Sequence, residues 1–120
     1  MAEKTRRVLT EAEAAELVRL SSACTARKGE IRGCERNLVY FKEFLDECDA
    51  NLAQPGLSEK ERVQWQGRRA HCAGPQTAEE QSKVRVAQAR LTSQGDALRL
   101  EKLKWGPSLS EADGKWTVDA

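Results

Sequence analysis

The chain has 120 residues, enough for one domain, and its net charge of +1 gives it no bulk attraction to nucleic acid or to acidic membranes. Its apolar share of 39% and charged share of 32%, with few aromatic residues, suit a helical protein better than a compact mixed fold. It has no apolar run long enough to span a bilayer and no hydrophobic signal core near its start, so the expected location is cytoplasmic and away from membranes.

A polar, basic lead-in over 1–10 precedes the first predicted helix, which covers 11–53. Thr10 and Glu13 stand at the spacing of a capping box, in which each side chain accepts a hydrogen bond from the backbone N–H of the other residue. We therefore expect the helix to begin at about Glu11.

The strongest pattern in the chain is a coiled-coil seam between Leu17 and Leu52, where apolar residues recur at alternating steps of three and four. The seam positions, all apolar except Arg27, are Leu17, Leu20, Cys24, Arg27, Ile31, Cys34, Leu38, Phe41, Leu45, Cys48 and Leu52. Gly29 and Gly33 lie inside this stretch, and each costs about 1 kcal/mol relative to alanine in a helix. The repeat continues through both glycines in phase, which predicts one continuous helix.

The sequence Gln-Pro-Gly-Leu at 54–57 is the clearest turn signal, because proline and glycine both break helices. Ser58 and Glu61 form a second capping box, which predicts a second helix over 58–104. Helices joined by a short connection become antiparallel neighbours. The predicted architecture is therefore an antiparallel helical hairpin of the coiled-coil type.

The second arm has a seam of its own, with one seam residue at every seventh position. This seam faces the seam of the first helix when the chain is folded about the turn. These positions are Val63, Ala70, Thr77, Val84, Leu91, Leu98 and Trp105. In this register Asp49 lies opposite Lys60.

A break is expected in the second arm near 73–77. Pro75 costs about 3 kcal/mol inside a helix, and Thr77 with Glu80 has the spacing of a third capping box. The heptad phase continues across the break, which favours a kink over a reversal. Reversals both here and at Gly29–Gly33 would instead give a four-helix bundle.

The stretch 105–120 is predicted to be a short C-terminal tail. Asp113-Gly114 is a turn signal, and the residues 115–118 have strand propensity. This segment either pairs with residues 7–10 or is a disordered tail. The fold class is all-α, with 1–120 as a single helical domain.

The sequence contains no recognisable arrangement of residues for catalysis, metal binding or cofactor binding. Cys24, Cys34 and Cys48 lie about 15 and 21 Å apart along a helix, too far to bridge or to share a metal. His71 has no second ligand pair to complete a zinc site with Cys72. We expect reduced core thiols, no cofactor, no metal and no enzymatic activity.

A partner-binding surface is predicted near the turn, on the half of the hairpin away from the chain termini. Its residues combine aromatic rings with arginine, a combination enriched in binding hot spots. They are Tyr40, Phe44, Trp65, Arg68 and Arg69. The alternative is that these rings pack on each other or on a second copy, as in a homodimer.

Basic residues at one heptad position form a ridge on the second arm: Arg62, Arg69, Lys83, Arg90 and Lys104. A ridge of this kind can follow a phosphate backbone. Interleaved aromatic residues and a recognition motif are missing, so nucleic acid is the less favoured partner.

The sequence thus predicts a non-catalytic module that presents helix faces to another protein, as an adaptor, a chaperone or a small protein inhibitor. A nucleic-acid-associated protein is the alternative, and a steep salt dependence of binding would identify it. In shape, the predicted hairpin resembles other long helical hairpins, such as stalk proteins of bacterial type III export and small phage-encoded regulators. That resemblance implies an architecture and no particular function.

Overall fold

The computed structural model describes residues 5–120, and this part of the chain is mostly helical with one small sheet. Its elements in chain order are β1 (Arg6–Val8), α1 (Glu11–Leu52), α2 (Glu59–His71), a π-helical turn (Cys72–Gln76), α3 (Thr77–Leu103), β2 (Ser110–Ala112) and β3 (Lys115–Asp119). The first predicted capping box forms, since the N–H of Glu13 donates to Thr10 Oγ1 and the N–H of Thr10 donates to Glu13 Oε1. Ser58 caps the second helix by accepting from the N–H of Glu61, and its hydroxyl donates to the Glu61 carboxylate. None of the described helices is apolar over a length that could cross a bilayer.

The first helix is continuous through Gly29 and Gly33, as predicted. The chain likewise remains helical through Pro75. Neither candidate reversal exists, so the four-helix-bundle alternative is wrong.

The chain divides into two compact units, the first formed by its start up to Arg27 together with Ala89–Ala120. The core of this unit joins the beginning of α1 to the inner face of the sheet. Its buried residues are Leu9, Ala14, Leu17, Trp116 and Val118, with Leu98, Trp105 and Leu109 packed against them.

The sheet of the first unit has the strand order β1–β3–β2, with both pairs antiparallel. Asp113 and Gly114, with φ angles of 52° and 76°, connect β2 to β3. Positive φ at both central residues is the requirement of a type I′ hairpin turn, for which Asp-Gly is a favoured sequence. Of the two alternatives for the tail, the pairing is the one found, with β3 pairing to Arg6–Val8. The fold is mostly helical, as predicted, and carries a small sheet that the all-α description omitted.

The second unit, Lys28–Gln88, holds the rest of α1, all of α2 and the beginning of α3. Hydrogen bonds join α1 to the helical segment after the turn at these pairs: Asp49 with Arg69, the Phe41 carbonyl with the Cys72 thiol, and Asn37 with Glu80. The partner of Asp49 is therefore Arg69, not the predicted Lys60. Residues of α1 therefore contact residues that lie further along the second arm than predicted by folding the chain symmetrically about 54–57.

The π-helical turn changes which residues of the second arm are buried. Before the turn Trp65 is half-buried, whereas Val63 is 57% exposed, and Cys72, the first residue of the turn, is buried. After the turn Glu80 and Ala87 are buried. A π-turn adds one residue to a helix. A heptad pattern that fits α3 is therefore displaced by one position when it is continued through the turn into α2. The predicted seam residues Val63 and Ala70 are exposed for this reason.

Candidate functional site

A cleft of about 580 Å³ opens in the first unit, between the last turns of α3 and the strand β2. Its lining residues come from the end of α3, the connection after it, and the edge of the sheet. They are Arg99, Lys102, Leu103, Gly106, Pro107, Leu109, Ser110, Glu111 and Trp116.

Local sequence explains why the chain folds around this cleft. Helix α3 ends at Leu103, and Gly106 takes a φ of 81°, which glycine adopts without the steric cost of a side chain. Pro107 follows and cannot continue a helix. The chain then enters β2 and returns as β3, whose alternation directs Trp116 inward, where it is only 6% exposed.

Apolar surface remains exposed at the end of α3. Leu103 lines the cleft and is 69% exposed, and Leu100 on the same helix is 63% exposed without lining it. Exposed large apolar side chains beside a concave surface are typical of a site that a partner covers.

Two cations and one carboxylate border the cleft. The ammonium group of Lys102 lies 5.6 Å from the centre of the Trp116 ring, within the range of a cation–π contact. Arg99 pairs with Asp96, one turn before it on the exposed surface of α3, and such pairs contribute little energy. With Glu111 as the acidic group, the lining carries two positive charges against one negative charge.

The strand β2 has an open edge next to the cleft, because among the described strands it pairs only with β3. Glu111 lies opposite Trp116 in the pairing register. The carbonyl of Trp116 accepts a hydrogen bond from the N–H of Leu9, 2.9 Å away on the other side of β3. Backbone groups of a strand alternate in direction, so the N–H and C=O of Glu111 point away from β3 towards the open edge.

The predicted partner-binding residues lie in the second unit and have mixed surroundings. Tyr40 is 55% exposed, while Phe44 and Trp65 are half-buried. The Arg68 guanidinium lies 5.1 Å from the centre of the Trp65 ring. Arg69 Nε donates to Asp49 Oδ1 over 2.7 Å, and this carboxylate raises the pKa of Arg69.

The residues of the predicted basic ridge are largely ion-paired. Arg69 pairs with Asp49, and Lys104 pairs with Glu101 at 2.8 Å. Lys83 pairs with Glu80 at 3.1 Å and with Glu79 at 3.7 Å. Arg62 is half-buried and Arg90 is exposed.

The four cysteines are buried, free thiols. Burial raises the pKa of the Cys34 and Cys48 thiols above the ordinary value, which keeps them protonated and poorly nucleophilic. Among residues 5–120, no three histidine, cysteine, aspartate or glutamate side chains lie close enough to hold a metal ion.

The cleft residues Lys102, Leu103 and Glu111 were not part of the predicted binding surface. A signal was available for Leu103 and for a fourth cleft residue, Trp116: Leu103 lies off the heptad positions, and Trp116 alternates with polar residues after a hairpin turn. The packing of α3 near β2 is a tertiary contact, and neither the heptad repeat of the helix nor the alternation of the strand can predict it.

No protein-family model, curated protein or solved structure matches this chain.

Proposed function

We propose that the chain is a non-catalytic protein-interaction module, an adaptor, chaperone or small inhibitor, that binds a segment of another protein at the cleft of its first unit. The observation that carries the proposal is the combination of an apolar cleft with an open strand edge beside it. Clefts of this size that offer a few directed polar groups are the usual form of binding sites in proteins.

The surface near the turn supports the proposal less well. Arg69 is held by Asp49, and Trp65 is half-buried with Arg68 over its ring. The cations at the cleft also have partners, since Lys102 lies over Trp116 and Arg99 pairs with Asp96. What favours the cleft is its concave apolar lining and the open strand edge beside it. The ion pairs along the basic ridge likewise favour a protein partner over nucleic acid, because paired cations release fewer counterions on binding.

The assignment of the helices as an antiparallel coiled-coil hairpin belongs to the same proposal. Its support is the series of contacts in Lys28–Gln88, in which the partners on α1 move towards its start as those on the second arm move towards its end. These contacts are Asp49 with Arg69, Phe41 with Cys72, and Asn37 with Glu80. Such a hairpin would serve as a scaffold, and the cleft would supply the recognition.

The test is selection of binders from an unrestricted displayed peptide library on the immobilised full chain, followed by affinity measurements with two variants. Leu103→Gln removes apolar surface from the cleft. Leu100→Gln is the matched control, since Leu100 is similarly exposed on the same helix and does not line the cleft. Both sites are too exposed for either change to unfold the protein.

Selected peptides should lose at least about tenfold in affinity with Leu103→Gln, equivalent to roughly 1.4 kcal/mol, and keep it with Leu100→Gln. Failure to select any peptide, or equal binding by both variants and the unchanged chain, would overturn the proposal. Binders lost instead with Tyr40→Ala or Phe44→Ala would move the site to the surface near the turn.

A further inference from the structure

The open edge of β2 dictates the backbone conformation of an occupant. Glu111 offers one N–H and one C=O, directed outwards in the plane of the sheet. An extended segment can satisfy both by lying beside β2 as a fourth strand, the arrangement known as β-strand addition. A helix cannot, because its own backbone groups are already paired.

The side chains of the cleft dictate the composition of the occupant. Directly opposite residues in paired strands point to the same face, so the occupant's residue opposite Glu111 enters the face that carries Trp116 and Leu103. A large apolar side chain suits that position. Its neighbours two residues away point to the same face, where Arg99 and Lys102 favour carboxylates.

A second copy of this chain fits the edge poorly. Antiparallel pairing of two β2 strands about a twofold axis centred on Glu111 would place the two Glu111 side chains directly opposite each other. Like charges in that position are destabilising, and charged residues on edge strands are a common means of preventing such self-pairing. This argues against self-pairing of β2 and favours a segment of a different protein as the occupant.

From these relationships we infer that the cleft binds an extended, acidic segment of another protein, which adds a strand to β2 at Glu111 and inserts one apolar side chain into the cleft beside Leu103 and Trp116. This inference rests on the proposed function and specifies its partner. The backbone of Glu111 supplies the pairing, Leu103 and Trp116 supply the apolar surface, and Lys102 and Arg99 set the preference for negative charge.

The test uses two peptide libraries of about ten residues, a length that covers the edge of a short strand. Both carry Leu, Ile, Val or Phe at the centre and Ser or Thr elsewhere. The positions two residues on either side of the centre are Asp or Glu in the first library and Lys or Arg in the second. Binding is measured on the full chain.

Two pairs of variants separate the contributions. Glu111→Pro removes the outward N–H, and it leaves the ladder to β3 intact because that N–H does not take part in it. Glu111→Ala keeps the N–H and removes only the carboxylate. Lys102→Gln tests the charge preference without touching the strand, with Leu100→Gln as its control on α3.

The acidic library should be enriched roughly tenfold or more over the basic one. Its peptides should lose at least about tenfold in affinity with Glu111→Pro, bind Glu111→Ala as tightly or more tightly, and weaken with Lys102→Gln. Equal or better binding of the basic library would overturn the inference, and so would normal binding to Glu111→Pro. A dimer of the chain that Glu111→Pro disrupts would also overturn it.

The two proposals fail in different ways. Peptides from the unrestricted library that depend on Leu103 but bind Glu111→Pro normally would leave the proposed function standing and refute strand addition. An unrestricted library without any Leu103-dependent peptide would refute both.

Discussion

Thr77 makes two hydrogen bonds to the Cys72 carbonyl at the other end of the π-helical turn. Its backbone N–H donates one and its hydroxyl donates the other, over 2.6 Å. Thr77 is therefore helical and does not act as the cap of a third capping box, which corrects that prediction. The extra residue accommodates Pro75, whose missing N–H and bulky ring a regular α-helical turn would not tolerate. It also turns Cys72 inward, where its thiol donates to the Phe41 carbonyl over 3.7 Å.

Replacing Thr77 by Val should lower the free energy of unfolding by about 0.5–1.5 kcal/mol, the usual net value of one hydrogen bond. Valine keeps the β-branched shape, so the loss reports the hydroxyl. Thr25→Val is the matched control, because the Thr25 hydroxyl donates to the Ser21 carbonyl on an exposed, regular stretch of α1. There the free energy of unfolding should fall by about 0.5 kcal/mol or less. Urea denaturation measures both, and equal losses would contradict a special role for Thr77.

Glu80 is a buried charge whose partners come from α1 and from its own helix, α3. Asn37 donates to it over 3.3 Å and Lys83 over 3.1 Å, and the Lys83 hydrogen bond is the main reason that its pKa is lowered. Glu80→Ala should cost about 1–3 kcal/mol, because it removes two hydrogen bonds to a charged, buried carboxylate. Glu79→Ala should cost less than about 1 kcal/mol, since Glu79 is exposed and its contact with Lys83 is a surface pair. Similar denaturation midpoints for the two variants would refute this.

The buried face of α1 could be predicted from the sequence because a regular helix repeats its environment every seven residues. Leu17, Leu20, Cys24, Cys34 and Cys48 are all buried, as the seam predicts. The partner of each residue could not be predicted, since a heptad pattern looks the same after a shift of seven. Asp49 meets Arg69, nine residues beyond the expected Lys60, so the pairing is not a simple shift by one heptad. The π-turn at Cys72–Gln76 changes the phase between the parts of the second arm on its two sides.

The cleft was harder to predict, because it depends on where a short tail packs. Asp113-Gly114 indicated the turn, and strand propensity indicated β3. Neither indicates that β2 leaves its edge open beside Leu103.

Glycine substitutions should have opposite effects in α1 and in the hairpin turn. A methyl group added at Gly29 would meet no atom within 4 Å, so Gly29→Ala should stabilise the protein by about 0.4–1 kcal/mol. Gly114 has a φ of 76°, where alanine is strained, so Gly114→Ala should destabilise it by about 1 kcal/mol or more. Thermal unfolding measures both. A loss of folding with Gly29→Ala would contradict the continuous helix.

The pair of Arg7 and Glu13 at the start of α1 should make stability depend on pH in the acid range. Arg7 donates to both carboxylate oxygens of Glu13, at 2.7 and 3.1 Å, and the N–H of Thr10 donates to the same group. These bonds, that of Arg7 first, lower the pKa of Glu13 from 4.5 to about 2.

The folded state therefore binds fewer protons than the unfolded state between these two values. The contribution of Glu13 to stability is complete above pH 4.5 and is lost as the pH falls towards about 2. Melting temperatures of the unchanged chain and of Glu13→Gln, measured across this range, should differ by a constant amount above pH 5 or so and converge as the pH falls. Arg7→Gln should remove most of the convergence, because it removes the main cause of the shift. A difference that stays constant down to about pH 2 would show that the folded protein holds Glu13 at an ordinary pKa, and that the cap and the arginine do not stabilise its charge.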